Sequence, residues 1–200
     1  MRLKTGDLFI WSPVALSDEL RSAIEALGRV RYLAPPNSLH HVFLGDWQQA
    51  YPQARVYAPP GLRSKRGDIR FDGDFGDHAD AAWAGEIDQV VMRGNRITTE
   101  VVFFHLRSRT AIFTDLLQQF PPGWFKGWRA LVARLDLMLE SQPTVPRKFR
   151  FSFTSRSAAR QALERIFAWP TEKVVMAHGD PVVQDGQAYL RREFAWLAPG

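Results

Sequence analysis

The sequence predicts an α/β fold packed as one domain over residues 1–200. Three observations carry this prediction. Over residues 7–58, short apolar runs alternate with amphipathic stretches in a βαβαβ series, which calls for strands joined through helices. Further on, three apolar runs at 86–92, 100–105 and 110–114 follow closely, the last two linked by the hairpin-length Leu106-Arg107-Ser108-Arg109. No repeat and no long linker divides the chain, and 200 residues are enough for one sizeable core.

Taken in order, residues 7–12 read as the first strand, ended by Pro13. Ser17 caps a helix with Asp18 and Glu19 in its first turn, where the helix dipole favours acids. Leu20, Ile24 and Leu27 give that helix one apolar face, and Gly28 ends it. A strand at 30–34 leads into Pro36-Asn37-Ser38-Leu39-His40-His41, a strand-to-helix loop with two of the five histidines. Such loops carry function in α/β folds because rigid elements hold them beside a crevice. The bland reading is that one histidine caps the helix or packs on Trp47 while the other is solvated. A helix at 43–51 stops at Pro52, and a strand at 54–58 follows.

Residues 59–84 read as a surface excursion with one short strand at 69–71. Its aspartates and His78 lack the spacing of a calcium loop and read as solvated. Asp115 ends the strand at 110–114 and is either a site acid or a cap for the next turn. A long helix at 128–140 carries Leu131, Leu135 and Met138 as a buried stripe. Ahead of it, Trp124, Phe125 and Trp128 belong to the core; the alternatives are a lid, a dimer contact or an interfacial membrane anchor. The basic, aromatic run 147–151 reads as an edge strand or a track for phosphates. A helix at 155–169 turns Leu163, Ile166 and Phe167 inward. The strand at 173–177 ends in His178-Gly179-Asp180-Pro181, and a helix at 184–197 closes the chain.

The absence of cysteine excludes disulfides and thiolate metal sites. Any metal must then be held by His, Asp or Glu, which suits zinc, iron or manganese. The net charge of +5 comes from scattered arginines and assigns no partner by itself. No apolar run is long enough to span a bilayer. The first residues read as a strand rather than a signal peptide, so the expected location is the cytoplasm.

His41, Asp115 and His178 each lie just beyond an apolar strand. Two imidazoles and a carboxylate suffice for a catalytic metal with an open position for water. At this point the chain resembles the metallo-β-lactamase superfamily of metal-dependent hydrolases, over nearly its whole length. Phe113-Thr114-Asp115 stands where Thr-Gly-Asp is usual, and Ala177-His178-Gly179 where Gly-His-Gly is usual. Of the family's His-x-His-x-Asp-His motif only the last histidine remains, as His41. Pro36 and Ser38 replace the first two histidines and His40 the aspartate. Asn95, after Gly94, stands in place of the middle histidine.

The resemblance implies a four-layer αββα sandwich in a branch with a degenerate metal motif and no characterised function. It implies loss of the first metal site, at Pro36, Ser38 and Asn95. What it leaves is a mononuclear site with His41, Asp115 and His178 as ligands, and His40 as fourth ligand or water-orienting base. Asp115 then counts among the catalytic residues with His40. Arg93, Asn95 and Arg96, near the lost site, become candidates for binding an anionic part of a substrate. His105 reads as an ordinary loop histidine. The expected function is hydrolysis of a small ester, amide or phosphoester with one zinc, iron or manganese ion. The alternative is a metal-free pseudoenzyme that binds a ligand or protein partner, with Trp124, Phe125 and Trp128 as its contact. A weaker third reading is nucleic-acid binding along Arg63, Lys65, Arg147, Lys148 and Arg150.

Overall fold

Parallel pairing follows from the βαβ succession at the head of the chain, since a helix returns the chain to the same end of the sheet before each new strand. In the computed structural model, which describes residues 1–197, the elements there are β1 (Asp7–Trp11), α1 (Asp18–Leu27), β2 (Arg29–Ala34), α2 (Leu44–Ala50), β3 (Arg55–Ala58), α3 (Leu62–Lys65) and β4 (Gly73–Asp74). The strands pair in parallel in the order β1-β2-β3-β4. Contacts divide the chain into two units, Met1–Gln89 and Val90–Gly200, and this sheet belongs to the first.

Ser17 Oγ accepts from Leu20 N at 3.2 Å and starts α1. The helix ends at Gly28, where a Cβ would lie 2.2 Å from the Gly6 carbonyl oxygen, so no other residue fits. Leu20 and Ile24 pack on the core as expected, but Leu27 is exposed. One face of the sheet buries Leu8, Leu33 and Val56 with Leu44 and Trp47 of α2. The other carries aromatic rings: Trp83 meets Phe9, Tyr32 and Tyr57 edge-on at 5.2, 5.2 and 4.7 Å. The expected surface excursion therefore contributes to the core, through Leu62, Ile69, Phe75 and Trp83. Its strand lies at Gly73–Asp74 rather than 69–71, because Asp72 Oδ2 takes the Val56 N–H at 2.9 Å and sets the register just beyond it. Asp74 is paired with Arg63 at 3.0 Å.

The second sheet runs in the order β5 (Ile87–Met92), β6 (Glu100–His105), β7 (Thr110–Ile112) and β8 (Lys173–Val175). β6 and β7 form the expected hairpin, and β7 pairs with β8 in parallel. The helices of this unit are α4 (Trp128–Leu135), α5 (Arg147–Ser152), α6 (Arg156–Ala168) and α7 (Gly186–Glu193), with a 3-10 turn at Ala195–Leu197. α6 buries Ala159, Ala162, Leu163 and Ile166 in a core with Val102, Phe104, Phe113, Phe149 and Leu190.

Three expectations fail here. Residues 147–151 are helical, begun by Pro146, whose φ of −58° is already that of a helix. The helix at 128 stops at Leu135, since Leu137 adopts a φ of +63° that ends the ladder. Its stripe is also reversed: Leu131 and Leu135 are exposed, and the small Ala133 is the buried residue. Among the described residues no helix is long and apolar enough to cross a membrane.

Candidate functional site

In the second unit the chain leaves β7 through Thr114-Asp115-Leu116. Their three N–H groups converge on the carboxylate of Glu100, the first residue of β6: Thr114 N at 2.7 Å on Oε1, Asp115 N and Leu116 N at 2.8 and 3.1 Å on Oε2. Glu100 is fully buried. Burial, then the nearby Asp115 carboxylate, push its pKa up to about 8 against the pull of the three N–H groups. The turn so held buries Asp115 and sets its Oδ1 3.6 Å from His178 Nε2. Gln118 Nε2 donates to the same oxygen at 3.2 Å.

His178 follows β8, and its carbonyl accepts from Gln119 N at 2.7 Å. Its ring is half-buried and stacks on Phe120, with centroids 5.5 Å apart. Next to it, Gly179 has φ +144°, and a Cβ there would crowd Gln119 and Pro143 at 3.1 and 3.2 Å. A groove lined by Gln119, Phe120, Pro121, Leu139, Glu140 and Asp180 opens beside this loop. Of the residues singled out in the sequence, the second unit thus brings Asp115 and His178 together. Glu100 heads the apolar run 101–104, and nothing in the sequence marks its role.

In the first unit, buried Asn37 shapes the histidine loop: its Oδ1 accepts from Leu39 N and His40 N at 2.9 and 3.0 Å. His40 Nδ1 pairs with Ser12 Oγ at 2.8 Å. His41 faces cations instead. Arg66 Nη1 donates to His41 Nδ1 at 3.0 Å and to its carbonyl at 2.7 Å. A guanidinium only donates, so Nδ1 is the acceptor and a neutral His41 carries its proton on Nε2. Partial burial first, then Lys65 and Arg66, hold the His41 ring below its ordinary pKa. Arg66 is itself paired with Asp68 at 2.6 Å, and Lys65 donates to the Ser38 carbonyl at 2.7 Å.

Asn95 is buried, and its amide serves the backbone of its own unit. Nδ2 donates to the Phe149 carbonyl at 2.9 Å, and Oδ1 accepts from Ile97 N and Thr98 N at 2.9 and 3.4 Å. Arg93 and Arg96 are exposed beside it. His105 pairs with Ser108 Oγ at 2.7 Å in the hairpin. Several basic residues considered for nucleic acid have local partners: Arg63 on Asp74, Lys148 on Asp136 at 3.5 Å, Arg147 on the Leu135 carbonyl and Arg150 on the Val145 carbonyl.

Comparison with known proteins adds the following. A family model described as "Domain of unknown function (DUF4336)" matches residues 1–125. No curated protein matches the chain. Among solved structures, the metal-soaked Flv1 flavodiiron core from Synechocystis sp. PCC6803 is 17% identical with a TM-score of 0.56; the match covers 94% of this chain and 49% of that one. This chain therefore spans about half the length of that protein. The DIM-1 metallo-β-lactamase exposed to ceftazidime is 12% identical, TM-score 0.62, covering 98% and 81%. The FIM-1 metallo-β-lactamase from Pseudomonas aeruginosa in its mono-zinc form is 10% identical, TM-score 0.54, covering 90% and 73%. At such identities the likeness speaks for the fold alone, and the fold is that of the metallo-β-lactamases.

Proposed function

The chain belongs to the DUF4336 family, and from its metallo-β-lactamase fold we propose a hydrolase-like protein with one mononuclear metal site. Two of its ligands are Asp115 and His178. The observation that carries this reading is their approach in the second unit: a buried carboxylate oxygen 3.6 Å from an imidazole Nε2. An oxygen and an imidazole, with no thiolate, suit zinc, iron or manganese. When bound, such a metal supplies a water acidic enough to yield hydroxide near neutral pH.

The surrounding residues hold these two in place. Glu100 ties down the turn that presents Asp115, and Gln118 orients its Oδ1. Phe120 covers one face of the His178 ring. The groove beside the loop would take a small ester, amide or phosphoester. Of the two loop histidines, the surroundings of His40 suit a metal ligand better than those of His41. Lys65 and Arg66 disfavour a dication at His41 for the same reason that they disfavour a proton there. His40 is paired with a neutral hydroxyl.

Elemental analysis of protein purified without a chelating tag tests this. The expected result is about one equivalent of zinc, iron or manganese. It should be lost in His178→Ala and in His40→Ala, each still folded by circular dichroism, and kept in His41→Ala. No metal, even after reconstitution, would leave the metal-free binding protein as the reading to pursue. Metal retained in His178→Ala would remove Asp115–His178 as the site.

A further inference from the structure

The segment ahead of and through α4 offers a surface that the proposed site does not use. Trp128, Leu131, Val132 and Leu135 recur at the i, i+3, i+4, i+7 spacing of one helix face. A face of that composition ordinarily goes to the core. Here all four side chains are exposed, Trp128 at 72%, and Trp124 in the preceding turn is exposed at 65%. The helix is seated on the other side, through the small Ala133. Phe120 fixes the turn, packing on Trp124 at 5.9 Å and on Phe125 at 5.1 Å. Five large apolar side chains exposed within residues 124–135 mark a docking surface.

The charges say what covers it. Lys126, Arg129 and Arg134 are exposed in the same stretch, and residues 121–135 contain no acid. The first acid beyond them, Asp136, is paired with Lys148 at 3.5 Å. The Arg129 guanidinium lies 5.7 Å from the centre of the Trp128 ring, so cation and aromatic stand together as they do at headgroup level. A second copy docked by two-fold symmetry would set Lys126, Arg129 and Arg134 against their own equivalents, a like-charge contact. An anionic lipid surface supplies the missing complement.

We propose that residues 124–135 form an interfacial anchor that lays α4 on an anionic membrane surface. Trp124 and Trp128 sit at headgroup level, Leu131, Val132 and Leu135 enter the acyl boundary, and the three cations meet lipid phosphates. This holds whether or not Asp115 and His178 bind a metal.

The test uses the full chain with vesicles of phosphatidylcholine alone or mixed with phosphatidylglycerol. Sedimentation should show binding to the mixed vesicles that weakens as salt rises. Tryptophan emission should be quenched by lipids brominated in the acyl chain. Trp128→Ser with Leu131→Ser should cut partitioning roughly tenfold or more. Arg129→Gln with Arg134→Gln should cut it roughly fivefold per charge. Unchanged thermal melting would show that both variants keep the fold. The proposal is overturned by absence of binding to the mixed vesicles, by equal binding to phosphatidylcholine alone, or by undiminished binding of the Trp128→Ser, Leu131→Ser variant. It is also overturned by a concentration-dependent dimer that Trp128→Ser abolishes, which would make a second copy the occupant.

Discussion

Three backbone N–H groups end on the Glu100 carboxylate, so this side chain folds the turn that carries Asp115. Glu100→Ala would leave three buried donors without an acceptor. Each such loss costs about 1–3 kcal/mol, so urea denaturation should show at least ~3 kcal/mol of destabilisation. Glu100→Gln keeps one acceptor oxygen and should cost less; equal losses in the two variants would count against the turn-holding role. A second residue-scale prediction concerns Asp68, whose hydrogen bonds from Arg66 lower its pKa from 3.8 to about 2. A depressed acid contributes stability that is present above its unfolded value and is lost as pH falls through the folded one. Here that window runs from 3.8 down to about 2. The carboxyl resonance of Asp68 should titrate near the lower end, and Arg66→Gln should return it to the ordinary range. A midpoint unmoved by Arg66→Gln would mean that the pair is not formed in solution. Neither role was visible in the sequence. Glu100 reads as a polar residue at a strand start, and Asp68 as one of several solvated acids.

At the scale of elements, what was legible is what periodicity dictates. The βαβαβ series, the β6–β7 hairpin and the inward face of α6 follow from spacing alone, and all three are present. Periodicity says that a helix has one apolar face but not which way that face points; in α4 Ala133 is the buried residue and the bulky stripe is exposed. The run 147–151 is ambiguous for a related reason, since basic and aromatic residues in alternation fit a strand as well as a short helix. The structure separates the two readings. In a strand Phe149 and Phe151 would share a face, whereas Phe149 is 2% and Phe151 82% exposed, as a helical turn requires. Phe149→Ala should therefore destabilise by about 3–5 kcal/mol, and Phe151→Ala by less than ~0.5 kcal/mol. Chemical denaturation of the two variants measures this, and equal effects would restore the strand.

For the whole molecule, the order of elements carried the resemblance although sequence identity to the solved relatives is only 10–17%. The site was less legible than the fold. A strand end marks Asp115 and His178 as candidates, but their approach and the Arg66 contact of His41 depend on tertiary packing. Metal binding should in turn feed back on the stability of the chain. A ligand that binds only the folded state at a hundred times its dissociation constant stabilises by about 2.7 kcal/mol. For a chain of 200 residues each kcal/mol moves the melting temperature by about 2–4 °C. Zinc, iron or manganese added to chelator-treated protein should thus raise it by roughly 5–10 °C. His178→Ala should abolish that rise while leaving the metal-free melting temperature little changed, because the His178 ring is half-buried and donates no part of the Glu100 network. Equal rises in wild type and His178→Ala would place the metal on other residues. No rise with any of the three metals would mean that Asp115 and His178 serve the fold as a close carboxylate–imidazole pair, leaving the chain with the architecture of a metallohydrolase and none of its metal chemistry.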